Sequence, residues 1–341
     1  MAIKTKTDKQ NTRLPNLIQY FEVCNQSEGK SPKTVSWYSA NLRRFHRYLK
    51  SRHLPDSVAD LDIQTLREYV LYLQKQKKFA GHPYTPSKSE FLSPASIHGH
   101  VRTLRAFLSW LAREGLVEIN LGSSLKPPKI PRKIVSTLSD EEIRSILNML
   151  RATNPCDARN QSIVMILIDT GLRIKELTNL KMDDLNLDQG VLKVMGKGDK
   201  ERIVPIGNNA QRALQRYLFR YRPKPAHPGI DNVFLSLSGA ALSENSMKLM
   251  FTRLSKRSGV TRLHAHLCRH TFATRFLING GDVFTLQQIL GHTTLEMVRH
   301  YLHFTTSQVA ALHHKYSPMD KLYGEEVKAA GNDALASAGA K

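Results

Sequence analysis

The chain has 341 residues, 41% of them hydrophobic and 23% charged, a globular balance that excludes collagen-like, mucin-like and wholly disordered classes. Its length exceeds the ~250–300 residues at which one hydrophobic core stops growing, which predicts two domains. Lys and Arg number 50 against 29 Asp and Glu, a net charge of +21, and both halves share the excess; a polyanionic partner follows, nucleic acid first.

No run of ~18 apolar residues exists to span a membrane, and the N-terminal residues are polar with no apolar signal region. Three scattered cysteines, Cys24, Cys156 and Cys268, build no disulfide scaffold and suit a reducing, cytoplasmic compartment.

Residues 1–12 read as a disordered polar tail. Helical spacing begins at Leu14, Leu17, Ile18 and Phe21 and predicts a first helix to about Gln26. Ser31-Pro32 is an N-cap followed by proline at the first helical position. The helix behind it carries Val35, Leu42, Phe45 and Leu49 on one face and Lys33, Arg43, Arg44, Arg47 and Lys50 on another. Asp62 caps a third helix. Residues 78–92 are loop by composition. Ser93-Pro94 starts a fourth helix, with Ile97, Val101, Leu104 and Leu108 inward and Arg102 and Arg105 beside them. This predicts a four-helix unit over 13–120.

The stretch 121–137, with three prolines and four basic residues, reads as an extended linker without helix. Ser139-x-x-Glu142 is a capping box that opens a second domain, 138–318. A buried helix over 160–170 is stopped by Gly171, and a short helix follows Leu172. The period then changes to two. Residues 184–187, 191–195 and 202–206 are short strands of a three-stranded antiparallel sheet, turned at 188–190 and 196–199. Helices are expected at 208–221, 243–258, 265–279, 284–290 and 294–303, with one more at 307–315 and a disordered tail over 319–341. The fold class is therefore mainly α with a small antiparallel sheet (α+β).

Four segments, in order and at matching spacings, resemble the tyrosine recombinase (phage integrase, Xer-type) family. They are Gly171-Leu172-Arg173-Ile174-Lys175-Glu176, Gly196-Lys197-Gly198-Asp199-Lys200-Glu201-Arg202, His266-Leu267-Cys268-Arg269-His270, and Leu290-Gly291-His292 with Tyr301 nine residues later. Each piece alone is weak and the ordered set is specific. The resemblance is sharp over about 138–316 and looser over 13–130, where the family has a helical core-binding domain.

The resemblance implies a site-specific recombinase or integrase that cuts and rejoins duplex DNA through a 3′-phosphotyrosine. Its catalytic residues would be Arg173, Lys197, His266, Arg269, His292 and Tyr301, with Glu176 in support. The residue types suit that chemistry. Forked guanidinium groups match the charge that grows on the non-bridging oxygens of an attacked phosphodiester. A phenol can become esterified to phosphorus and keep the bond energy, so no ATP is needed. By resemblance Lys197 is the general acid, with Lys200 as contender. Tyr316 and Tyr323 also follow the last box but lack the spacing from His292.

His264, His266, Cys268 and His270 raise the question of a metal, since His266 and His270 stand four apart. No His-Glu-x-x-His pattern and no Cys-x-x-Cys partner accompanies them, so neither metal nor cofactor is expected. The partners implied are double-stranded DNA and further copies of the chain, a homotetramer on two sites that is monomeric or weakly associated when free, with no membrane involved. Lys33, Arg43, Arg44, Arg47, Arg102, Arg105 and Lys200 are the candidate DNA contacts. The segment Val309–Leu312 is expected to dock into a neighbouring subunit. The short N-terminal tail predicts the simpler Xer-like or transposon-borne layout, without the arm-binding domain of lambda-type integrases. Two rival readings share parts of this pattern: a non-catalytic DNA-bridging relative, and a topoisomerase or hairpin-forming resolvase that uses the same chemistry without exchange.

Overall fold

Proline and a side-chain oxygen start most helices of the first unit, which spans Met1–Lys133. In this computed structural model the described residues are 13–80, 85–131, 137–196 and 200–292, with 294, 295, 298, 313 and 316–319 beyond them. Helix α1 (Leu14–Ser27) has Pro15 in its first turn. Helix α2 (Pro32–Ser51) is capped by Ser31, whose Oγ accepts from the Thr34 N–H at 3.3 Å. Asp62 accepts from the Thr65 N–H at 2.7 Å and opens α3 (Ile63–Gln74). Ser93 does the same for α4 (Pro94–Arg113) through the Ser96 N–H. Each cap satisfies an N–H that the first helical turn leaves without an intrahelical partner. The predicted stripes then close on one core, in which Leu42, Phe45, Leu66, Tyr69, Phe107 and Leu111 are fully buried.

Two expectations for this unit change. The stretch 78–92 is more than loop: Lys77 and Phe91 pair as an antiparallel bridge, and the Lys78 and Leu92 N–H groups donate to the Glu90 and Gln76 carbonyls. Its described ends thus form a ribbon, because backbone pairing needs no particular side chain. The stretch from 121 is not helix-free either. Leu121–Ser124 forms a short helix, α5, capped by the Asn120 side chain at 3.0 Å from the Gly122 N–H. The prolines that forbid helix begin only at Pro127, and Leu125 is buried in the first core.

The second unit spans Ile134–Lys341. The Ser139–Glu142 capping box forms in both directions and starts α6 (Asp140–Asn148). Asn154 caps α7 (Pro155–Thr170), earlier than the predicted start at 160, and α7 packs on the helices over Asn208–Arg216 and Ala265–Ile278 in the middle of the core. Strands β1 (Leu185–Asn186), β2 (Val191–Met195) and β3 (Glu201–Pro205) form an antiparallel sheet in the order β1-β2-β3. Val194 stands opposite Arg202, and Leu192 opposite Val204. Helices α9 (Asn208–Arg216), α10 (Glu244–Ser258), α11 (Ala265–Ile278) and α12 (Val283–Leu290) follow. The predicted helix over 208–221 is α9 continued by a wider π-type turn, Tyr217–Tyr221.

The helices expected at 294–303 and 307–315 lie outside the described residues apart from single positions, as do the tails at 1–12 and from 320 onward. Among the described residues no helix is long and apolar enough to cross a membrane.

Candidate active site

A glycine fixes the first arginine. Gly171 ends α7 with φ +64°, a left-handed conformation that glycine adopts without steric penalty. A Cβ there would meet Phe272 at 2.5 Å and Leu290 at 2.7 Å. The reversal places Arg173 at the N-cap of helix α8 (Ile174–Asn179). Its backbone N–H donates to Glu176 Oε2 at 2.9 Å and its Nη1 to Glu176 Oε1 at 2.8 Å. The Glu176 side chain is only 5% exposed, that of Arg173 33%.

Arg269, in α11, is 3% exposed. Its Nη1 donates to the Gly171 carbonyl at 2.6 Å, and its Nη2 lies 2.9 Å from the Leu290 carbonyl and 2.8 Å from His292 Nε2. Arg173 Nη1 reaches the same Leu290 carbonyl at 3.4 Å. The end of α12 therefore collects both guanidinium groups, as expected where carbonyls without intrahelical partners and the negative end of a helix dipole face cations.

Gly291 (φ +61°) ends α12 and delivers His292 to this cluster. Because arginine only donates, His292 Nε2 accepts, which makes the ring the neutral tautomer protonated at Nδ1. Burial first, and then the charges of Arg269, Arg173 and Arg202, push the His292 pKa down to about 4, against a smaller opposing effect of Glu176. His266 lies exposed in the first turn of α11. Partial desolvation, Arg269, His264 and Arg173 lower its pKa below the usual histidine value, so at neutral pH it is an acceptor. Arg173, Glu176, His266, Arg269 and His292 thus converge from segments far apart in the chain.

Lys197 and Tyr301 lie outside the described residues. Lys200 is exposed at the foot of the hairpin, where its carbonyl accepts from the Gly196 N–H at 2.8 Å. Cys268 is buried in the core beside Arg269, and burial pushes its thiol up to about 12. Among the described residues no three His, Cys, Asp or Glu side chains are grouped to hold a metal ion.

Arg202 completes the cluster and was not among the predicted residues. Its guanidinium forks onto Glu176, Nη1 to Oε1 at 3.1 Å and Nη2 to Oε2 at 2.9 Å, while Nε donates to the Ile289 carbonyl at 2.8 Å. The signal was present in the period-two strand 202–206: Arg202 shares the inward face with buried Val204, whereas Ile203 points outward, 58% exposed. An arginine in an inward position needs a buried partner.

The basic face of the first unit is built differently. Lys33, Arg43, Arg47, Arg102 and Arg105 are exposed and Arg44 is half-buried. Arg43 sits 3.4 Å from Glu22, and the Arg102 guanidinium lies over the Trp37 ring, 5.3 Å from its centroid. Gly99 permits that stack, since a Cβ there would press on Trp37 at 3.1 Å. A groove of about 710 Å3 is lined by Trp37, Arg44, Arg47, Lys78, Phe79 and His100, among others. Trp37, Lys78 and Phe79 were not among the predicted residues.

Residues 136–308 match the model of the phage integrase family, and residues 16–124 that of the phage integrase SAM-like domain. The tyrosine recombinase XerC of Bacillus pumilus is 32% identical over 318 residues, covering 92% of this chain and 98% of the relative. The tyrosine recombinase XerD of Listeria monocytogenes is 33% identical over 296 residues, covering 85% and 94%. Among solved structures, the Tn1549 transposon integrase in complex with a circular intermediate DNA shares the fold, with a TM-score of 0.67 at 20% identity, covering 88% of this chain and 99% of that one. The chain belongs to the phage integrase family. It is a site-specific tyrosine recombinase, an enzyme of DNA recombination and integration.

Proposed function

We propose that this recombinase cuts and rejoins duplex DNA through a covalent bond between Tyr301 and a 3′ phosphate. The Tyr301 phenol oxygen attacks phosphorus and the P–O5′ bond breaks. Neutral His266 takes the phenol proton, and Lys197, with Lys200 as alternative, gives a proton to the departing 5′ oxygen. Arg173 and Arg269 meet the charge growing on the non-bridging oxygens, His292 hydrogen-bonds the phosphate, and Glu176 orders the arginines. In the second half a 5′ hydroxyl attacks the phosphotyrosine, so the bond is exchanged rather than hydrolysed, with no metal or ATP. What carries the reading is the meeting of the Arg173 and Arg269 guanidinium groups at the Leu290 carbonyl, with His292 at 2.8 Å from Arg269.

Residues 13–120 would bind the recombination site through Lys33, Arg43, Arg44, Arg47, Arg102 and Arg105, residues 121–137 would link, and residues 138–318 would carry the chemistry. Its ligand would be double-stranded DNA: DNA is named in complexes of related fold, such as the Tn1549 integrase with a circular intermediate DNA, and the +21 net charge suits it. Four copies on two sites, in the cytoplasm, complete the proposal.

A suicide DNA substrate, which traps the covalent adduct by losing the short strand, tests it. Adduct should form in the presence of EDTA, vanish in Tyr301→Phe, and persist in Tyr316→Phe. Recombinant product from two duplexes separates exchange from relaxation alone. Adduct formation by Tyr301→Phe overturns the nucleophile assignment.

A further inference from the structure

We propose that Arg202 is a positioning residue that holds the carboxylate anchor of Arg173 in register with the lysine hairpin. The inference rests on the reading of Arg173 as a scissile-phosphate ligand, and goes beyond it.

Arg202 is itself part of the hairpin: it stands on β3, two residues past Lys200, whose carbonyl accepts from the Gly196 N–H. From there one planar group reaches two other segments. The fork onto Glu176 ties it to the Arg173 box, and the Nε bond to Ile289 ties it to the end of α12, three residues before His292. The side chain is 12% exposed and that of Glu176 5%, so Arg202 stands back from solvent while Arg173 remains partly open.

The surroundings fit a guanidinium in particular. A Cβ on Gly291 would stand 3.1–3.2 Å from the Arg202 Nη1, Cζ and Nε atoms, and one on Gly196 3.4 Å from Nη1. Two glycines thus frame the flat group. Lysine carries its three donors on a single nitrogen and cannot present the planar fork in which Nη1, Nη2 and Nε each serve a different acceptor.

Among the described residues Glu176 has four donors: the Arg173 N–H, Arg173 Nη1, and Arg202 Nη1 and Nη2. Burial alone would raise the Glu176 carboxyl, but its bonds to Arg202 and Arg173 outweigh burial and leave it below its usual value. Without Arg202 half of these bonds go, and Arg173 is the donor that remains among the described residues. The carboxylate can then swing, and Arg173 with it. A displacement of about 1 Å at such a distance from the reacting atoms is enough to lower a rate ~10²-fold.

The test compares Arg202→Ala, Arg202→Lys and Arg173→Ala with the unmodified chain, on suicide DNA carrying either an ordinary scissile phosphate or a methylphosphonate. The methylphosphonate lacks the non-bridging charge that Arg173 is read to meet. On ordinary DNA, Arg202→Ala should form adduct ~10²-fold more slowly with its affinity for DNA unchanged, and Arg202→Lys should recover only part of the rate. On methylphosphonate DNA, both Arg173→Ala and Arg202→Ala should close most of the gap to the unmodified chain. A purely structural role would slow both substrates alike. Relief of Arg173→Ala without relief of Arg202→Ala overturns the assignment of Arg202 alone, as does a parallel fall in DNA affinity. Failure to relieve Arg173→Ala removes the reading beneath it as well. Should Arg202→Ala fail to fold, the Lys variant carries the same comparison.

Discussion

The two units of this recombinase spend positive charge in opposite ways. On the first, Arg43 and Arg102 lie in water, one near a single carboxylate and the other over a tryptophan face. In the second, Arg269 and Arg202 are withdrawn from water and bonded to carbonyls and a carboxylate at fixed distances. Mobile cations on a surface suit a polyanion whose backbone must be met at many points, each contact contributing little. Cations locked in place suit one phosphorus atom whose charge changes during reaction, because preorganised charge needs no rearrangement as that happens. Loss of one side chain should accordingly be mild in the first unit and severe in the second.

The sharpest way to break that contrast is Arg269→Ala. Adduct formation should fall about 10³-fold, the scale of a lost preorganised donor, with DNA affinity little changed. The Gly171 and Leu290 carbonyls would lose their bonds, and thermal unfolding should show a destabilisation of about 1–3 kcal/mol. A cleavage loss matched by an equal binding loss would contradict the contrast.

Glu176→Ala comes next. It leaves Arg202, 12% exposed, and the half-buried Arg173 without their shared carboxylate, and removal of one partner from a buried pair costs about 3 kcal/mol or more. Denaturant unfolding of the full chain reads this directly.

pH offers a third test, with one histidine in each unit. His292 and His100 both have pKa values lowered from 6.5 to about 4, His100 by burial and then Arg44. A depressed histidine favours the neutral form in the fold, while the unfolded chain takes up its proton near 6.5. Stability should therefore be complete above about 6.5 and decline as pH falls toward 4, where the folded protein also accepts the proton. Imidazole titration by NMR should place both near 4. In Arg269→Gln the His292 value should rise and that of His100 should stay, since cations hold down the first more than the second.

The smallest effects belong to the first unit. Trp37→Ala removes a cation–π support of about 1 kcal/mol at most for an exposed pair, so binding should weaken only a few-fold. Arg43→Ala, near Glu22 on the surface, should change stability by less than about 1 kcal/mol. Losses on the scale of Arg269→Ala at either position would erase the distinction.

Much of this was legible in the chain. Ser31, Asp62, Ser93 and Ser139 marked helix starts because a cap is a local event, decided within four residues. Arg173, Glu176, His266, Arg269 and His292 were legible as a set because their segments resemble a known family. Arg202 was not. It closed the quoted hairpin motif, yet its partner lies on helix α8, and only the fold brings a carboxylate 26 positions away into reach. The pairing of the described ends of 78–92 was hidden for a related reason, since backbone pairing leaves no mark in a stretch rich in Pro, Ser and Lys. The helix at Leu121–Ser124 was masked by the prolines that follow it.

Cys268 has a practical consequence. It neighbours the buried guanidinium of Arg269, yet with its thiol held at about 12 it presents almost no thiolate at neutral pH, and the reactive species is the thiolate. Cys24 and Cys156 are both partly exposed. Maleimides, iodoacetamide or mild peroxide should therefore modify those two first. Fluorophores or cross-linkers can be attached there while the buried guanidinium cluster stays chemically untouched.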